Sequence, residues 1–299
     1  MKEFARTATD GIIYVNGRFF PRDQAAISVF DHGLLHGDGV FDTLMAWKGA
    51  IFKLDQHLDR LFRSARAVKI RPPLDKERIR DVITEAIRMA RLENVYIKCI
   101  MTRGTSPAPY MDLLRSVPSL IVIAVPYPEK ANPFVDRPGV RATIASIRRT
   151  PDDVFDSRIK SLNYLPFALA RLEALEAGYD EALMLDVDGC VCEAPGWNIF
   201  VVRGGEVITP GRSILEGITR ETVIEICKRL SIPCRIGVIT SYDCWVADEA
   251  FLTSTVGGLL PLSEVDGRPI GTGEPGPIFR AIRTEFRAML EGGEHCTKV

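Results

Sequence analysis

No excess of either charge marks this chain. Its 38 lysines and arginines are balanced by 39 aspartates and glutamates over 299 residues, which leaves no basic footprint for nucleic acid or an anionic membrane surface. No apolar run reaches the roughly eighteen residues that a membrane-spanning helix needs. The opening stretch MKEFARTATDGIIYVNG lacks the apolar core of an export signal, so export is not expected. Cysteine is sparse and odd in number: Cys99, Cys190, Cys192, Cys227, Cys234, Cys244 and Cys296 form no CxxC pair and no zinc spacing, which points to a reducing, cytoplasmic setting. Also missing are the GxSxG elbow of serine hydrolases, the HExxH helix of zinc proteases, a Walker pattern and a GxGxxG fingerprint. His32 and His36 are spaced i, i+4, but Gly33, Gly37 and Gly39 argue against a helix there, and no metal is expected. What remains open is a small-molecule partner.

Patterning divides the chain in two. Residues 1–125 read as a smaller α+β domain: a hairpin about Asn16-Gly17, a strand-turn-strand about Lys48-Gly49, helices at DQHLDRLFRSARAVKI and DKERIRDVITEAIRMARL, and two strands at VYIKCIMTRG and SLIVIAVPY. Asp55 is the expected cap of the first of these helices. Four prolines in PYPEKANPFVDRPG disfavour helix and central strand alike, so residues 126–138 are taken as a linker. Residues 139–299 read as a larger α/β domain. There Leu162, Leu165, Leu169, Leu172 and Leu175 recur at helical spacing, hairpins turn at Asp188-Gly189 and Gly204-Gly205, and a final helix starts at Pro277. Lys160 is expected at the N-terminus of the leucine-spaced helix.

Lys160, Tyr164 and Glu193 together are the amine, phenol and carboxylate that pyridoxal phosphate chemistry requires. A lysine condenses with an aldehyde only as the neutral amine, and a pyridine ring becomes an electron sink only while its nitrogen is protonated, which an acidic partner favours. A phosphate is held by backbone N–H groups at a helix start, by hydroxyls and by arginine. LEGITRET offers Gly217, Ile218 and Thr219 at a helix start, TSTVGG offers Ser254 and Thr255 in a loop, and HLDRLF carries Arg60. Each has a plainer reading, as a threonine cap, a turn and a solvated helix face.

Six segments in order, DHGLLHGDGVFDTL, HLDRLFRSA, RIKSLNYL, GYDEALMLDVDGCVCEAPGWNIFVV, ILEGITRETV and FLTSTVGGLLP, make the chain resemble the class IV, fold-type IV pyridoxal phosphate aminotransferases. That group holds branched-chain and D-amino acid aminotransferases, (R)-selective amine transaminases and aminodeoxychorismate lyase. The resemblance implies that Lys160 binds the cofactor's aldehyde, Tyr164 its 3-oxygen and Glu193 its ring nitrogen. It also implies a phosphate cup of Arg60, Leu215, Gly217, Ile218, Thr219, Ser254 and Thr255. Lys160 then serves as the base that moves a proton during ping-pong transfer from an amino donor to a 2-oxo acid. A homodimer or larger homo-oligomer is implied, with the region of His36 a candidate for the loop given to the partner's site.

The motifs divide over substrate. RIKSLNYL and GYDEALMLD resemble the branched-chain enzymes, while TRG, APGWN and STVGGLLP resemble the (R)-amine transaminases. Where branched-chain enzymes carry YIR this chain has Lys98, and where they carry FEGIR it has Phe41, Asp42, Thr43, Leu44 and Met45. A fork has become a point charge, and Thr43 narrows the pocket. Phe41, Tyr96 and Val256 suggest apolar substrates. The expectation is an aminotransferase for an apolar donor on a branched-chain scaffold; the alternatives are an (R)-amine or D-amino acid transaminase and a pyruvate-eliminating lyase.

Overall fold

The computed structural model describes residues 11–133 and 135–299. The stretch read as lacking an export signal therefore lies, for residues 1–10, outside the described residues, as does Phe134 of the proline-rich segment. The elements run β1 (Ile12–Val15), β2 (Arg18–Pro21), α1 (His32–His36), β3 (Gly39–Trp47), β4 (Ala50–Phe52), α2 (Leu54–Ala67), α3 (Lys76–Ala90), β5 (Val95–Thr105) and β6 (Val117–Pro126). They continue as β7 (Val140–Ile144), α4 (Leu165–Glu176), β8 (Glu181–Leu185), β9 (Val191–Ala194), β10 (Trp197–Arg203), β11 (Glu206–Pro210), α5 (Ile218–Arg229) and β12 (Cys234–Gly237). Last come α6 (Ser241–Trp245), β13 (Glu249–Ser254), β14 (Gly258–Val265), β15 (Arg268–Pro269), α7 (Pro277–Glu291) and β16 (Cys296–Lys298).

Two compact units result. The first comprises Met1–Lys130, Ile159–Asn163 and Gly293–Val299; the second comprises Ala131–Arg158 and Tyr164–Gly292. The expected contiguous second domain, 139–299, is thus interrupted, because the short segment carrying Lys160 and the C-terminal strand both cluster with the first unit.

In the first unit seven strands form one sheet in the order β16-β4-β3-β5-β6-β1-β2. Side chains alternate across a strand, so Val40 and Leu44 of β3, Ile97 of β5 and Val122 of β6 share a buried cluster with Leu58 and Leu61 of α2 and Ile79 and Ile83 of α3. The residues between them, Phe41, Thr43, Tyr96 and Lys98, fall on the opposite face. Helix α2 starts from Lys53 in the left-handed conformation (φ 50°), not from Asp55, which lies in the first turn and pairs with Lys76 at 3.4 Å and with Arg80. A short helix, α1, does form among the glycines. Asp31 Oδ1 accepts from Gly33 N at 2.8 Å and starts it, and Gly37 in the left-handed region ends it.

The second unit is built on a nine-stranded sheet with the path β12-β11-β10-β13-β14-β7-β8-β9, β10 also pairing β9 and β15 pairing β14. On β8, Leu183 and Leu185 enter a core with Ile199, Val201 and Leu252, while Ala182 and Met184 face a second cluster with α4. That helix packs through Phe167, Ala170 and Ala174. Its leucines face the other way: Leu165, Leu169, Leu172 and Leu175 are all exposed.

Candidate active site

In the first unit Lys160 is held like a strand residue. It lies five positions before α4 rather than at its start. Phe41 N donates to Lys160 O at 2.9 Å, Leu162 N donates to Gly39 O at 2.9 Å, Ser161 bridges Val40, and Lys160 N donates to the Ser64 hydroxyl of α2 at 3.1 Å. A Cβ at Gly39 would stand 2.5 Å from Leu162 Cδ1 and 3.0 Å from Met101 O, so a larger residue there would have to displace the Leu162 side chain. Lys160 Nζ sits 4.7 Å from the centroid of the Phe41 ring, and Lys98 Nζ sits 4.2 Å from the same centroid. Burial pushes the Lys98 amine below its ordinary pKa. Thr43 hydrogen-bonds Tyr96, whose phenol burial pushes up in spite of that bond. His36 ends α1, exposed, with its ring edge-on to the buried His32 ring at 5.1 Å.

Arg60 is buried and clamped. Its Nε and Nη2 donate to Asp42 Oδ2 and Oδ1, each at 2.8 Å, and His57 Nδ1–H donates to Asp42 Oδ1 at 2.7 Å. Burial alone would raise the Asp42 pKa, but Arg60 and His57 more than offset it and hold the carboxyl far below the usual range. His57 moves down as well: burial dominates, Asp42 opposes it, and Arg60 and Lys160 add repulsion. The neutral ring leaves Nε2 buried without a hydrogen-bond partner among the described residues.

The second unit gathers the remaining candidates. Glu193, on β9, is buried, and Oε2 accepts from Leu215 N at 3.0 Å and from Asn198 Nδ2 at 3.3 Å. Asn198 Nδ2 also donates to Leu215 O at 2.9 Å, so one amide ties the carboxylate to the loop that enters α5. Oε1 accepts from Arg149 Nε at 2.7 Å. Tyr164 caps α4 with its ring 4.9 Å from Phe167. Helix α5 begins at Gly217 with no side-chain cap, Ile218 and Thr219 forming its buried first turn. Ser254 Oγ accepts from Gly257 N at 2.9 Å in the loop after β13, which also carries Thr255 and Val256.

These residues fit pyridoxal phosphate on two observations. Gly217 approaches Asn198 so closely that a Cβ would stand 1.9 Å from Oδ1, and α5 starts from it with no side-chain cap, two residues after the Leu215 that Asn198 and Glu193 hold. Thr253, directly opposite Asn198 in the sheet, has a buried hydroxyl with no partner among the described residues, an acceptor and donor awaiting a polar group. Among the described residues no group of three or more His, Cys, Asp or Glu could hold a metal ion.

Three residues with structural claims on the site, His57, Arg149 and Asn198, do not stand out in the sequence, and Asp42 stands out there only as part of a substrate motif. His57 and Arg60 are i, i+3 on α2, a spacing that puts both on one face and could have flagged a shared partner. Arg149 gives no such signal, because Glu193 is 44 positions away.

The backbone-held amine of the first unit, and the buried carboxylate and glycine-started helix of the second, are groups that pyridoxal phosphate chemistry uses, and comparisons with known proteins give the class. Residues 39–265 match the amino-transferase class IV family. A Methanocaldococcus jannaschii protein named as a putative branched-chain-amino-acid aminotransferase is 41% identical over 277 residues, covering 92% of this chain and 95% of its own length. A D-alanine aminotransferase of Bacillus licheniformis is 30% identical over 284 residues, covering 93% and 96%. A T.th. branched-chain amino acid aminotransferase, solved with pyridoxamine 5'-phosphate, superposes with a TM-score of 0.92 at 32% identity, covering 98% of this chain and 99% of its own. The chain belongs to the class IV aminotransferases. It is a transaminase that uses pyridoxal phosphate.

Proposed function

We propose that this enzyme takes the amino group of an apolar, branched-chain L-amino acid and passes it to a 2-oxo acid. The carrying observation is the sheet face of the first unit turned away from α2 and α3, where Phe41, Thr43 and Tyr96 lie with the Lys98 ammonium, and where Lys98 and Lys160 both approach the Phe41 ring. An apolar side chain is suited to the first three, and a carboxylate to the fourth. When bound, the cofactor supplies an electron sink for the carbanion left at the donor's α-carbon. Lys160 Nζ takes the α-proton and returns it, Glu193 keeps charge at the ring nitrogen, and the α5 amides with Ser254, Thr255 and Arg60 hold phosphate. The name carried by the M. jannaschii relative supports the donor class.

A second reading, a D-amino acid or (R)-amine donor, is favoured by Lys98 in place of an arginine and by the D-alanine aminotransferase relative. Stopped-flow half-reactions with L-leucine, D-alanine and (R)-1-phenylethylamine separate the two. L-leucine should convert the bound cofactor fastest; faster conversion by either other donor would replace the first reading with the second. Pyruvate release without an acceptor would instead indicate a lyase. Lys160→Ala should lose turnover by several orders of magnitude together with the visible absorbance of lysine-bound cofactor, and retention of that band would overturn the lysine's role. We infer further a homo-oligomer, supported by the exposed leucines of α4, and a cytoplasmic setting, supported by seven free cysteines.

A further inference from the structure

Arg149 follows β7 as its chain runs beside β8, its N–H donating to Leu185 O at 2.9 Å. Its side chain, 11% exposed, ends at Glu193, itself 4% exposed, with 2.7 Å between Nε and Oε1. The guanidinium also lies 4.5 Å from the centroid of the Phe167 ring, and that ring packs on Tyr164. One cation thus touches the carboxylate assigned to the ring nitrogen and stacks on the ring that braces the phenol assigned to the 3-oxygen.

We propose that Arg149 is a positioning residue that fixes where the ring-nitrogen proton resides, by stabilising Glu193 as the anion. This rests on the reading that Glu193 faces the ring nitrogen. A proton between a buried carboxylate and a pyridine nitrogen can sit on either. With neutral donors alone, Leu215 N and Asn198 Nδ2, burial would favour the uncharged pair, a protonated Glu193 and a neutral ring. A cation 2.7 Å from the carboxylate acts on the near negative charge more strongly than on the positive ring beyond it, so it favours the charged pair. Two ionisable neighbours carry no positive charge: Asp186, paired with Arg212 at 3.0 Å, and the Cys192 thiol, which burial pushes well above its ordinary range. The stacking on Phe167 holds the guanidinium plane and leaves it little freedom to turn away.

The experiment loads wild type, Arg149→Gln, Arg149→Met, Arg149→Lys and Glu193→Gln with pyridoxal phosphate labelled with nitrogen-15 in the ring, and reads that nitrogen by NMR. Arg149→Gln keeps a donor and removes the charge. Its signal should move from the pyridinium position toward that of neutral pyridine, Arg149→Met should do the same, and Arg149→Lys should return most of the way. An Arg149→Gln signal equal to wild type would overturn the proposal, and so would failure of every Arg149 variant to fold, which would make the residue structural only. Glu193→Gln separates this from the underlying reading. If its signal moves while that of Arg149→Gln does not, Arg149 alone is wrongly assigned; if neither moves, Glu193 does not face the ring nitrogen.

Discussion

Asp42 shows what one buried carboxylate can organise. It receives two donors from Arg60, one from His57 and the N–H of Thr43, so the arginine assigned to phosphate is pinned before any ligand arrives. Removing one partner of a buried ion pair strands the other charge, at a cost of about 3–5 kcal/mol. Asp42→Ala should therefore lower unfolding free energy by about that amount in urea titrations, and a loss under about 1 kcal/mol would mean that Arg60 finds another partner. None of this could be read beforehand. Asp42 replaces a glutamate of the family pattern and invites a reading about substrate, whereas its side chain points away from Phe41 and Thr43 into the layer between sheet and helix. Lys160, Tyr164 and Glu193 can be singled out in the sequence because their chemistry is tied to short motifs; Arg149 cannot, because its contact joins distant segments.

At the level of elements, the hairpins were legible from their turn dipeptides and α5 from its glycine and threonine, since these are local signals. Helix α4 was legible in place but not in orientation. Leucine spacing finds a stripe, yet the face that packs is the one whose small residues, Ala170 and Ala174, let the backbone come close to Ala182 and Met184. The leucine stripe is left outward. If it is covered by a second copy of the chain, Leu169→Asp combined with Leu172→Asp should convert the assembly to monomers in sedimentation velocity while circular dichroism stays unchanged. Unaltered sedimentation would remove α4 from the interface. Helix α1 escaped notice because glycine counts against helix interior positions, whereas here the Asp31 cap and a left-handed Gly37 frame a helix only one turn long.

For the whole molecule, acid stability follows from the same buried cluster. His57 has a folded pKa below its ordinary value near 6.5, so the unfolded chain binds more protons and stability falls as pH drops below that point. Asp42 adds a second loss, present above its unfolded value of 3.8 and surrendered as pH falls toward its much lower folded value. Glu181, raised by burial in spite of Arg171, works in the opposite sense above pH 4.5. Urea midpoints from pH 7.5 to 4.5 should fall for the wild type, and His57→Asn, which keeps a donor toward Asp42 without a titrating ring, should lose much of that slope. An unchanged slope would assign the pH dependence to other groups. The prolines between Pro126 and Pro138 suggest one linker between two contiguous domains, whereas each of the two units draws on more than one segment of the chain.

The chain passes from one unit to the other after Lys130, after Arg158, after Asn163 and after Gly292. A chimaera joined once at the proline-rich segment would therefore take Lys160 from the parent that supplies Glu193, and bury its backbone against a foreign β3. The amine would arrive without the Gly39 and Phe41 backbone it was matched to. Recombination between such enzymes should yield working hybrids only when the five residues Ile159–Asn163 travel with β3, which makes this short segment, rather than either unit, the heritable partner of the first sheet.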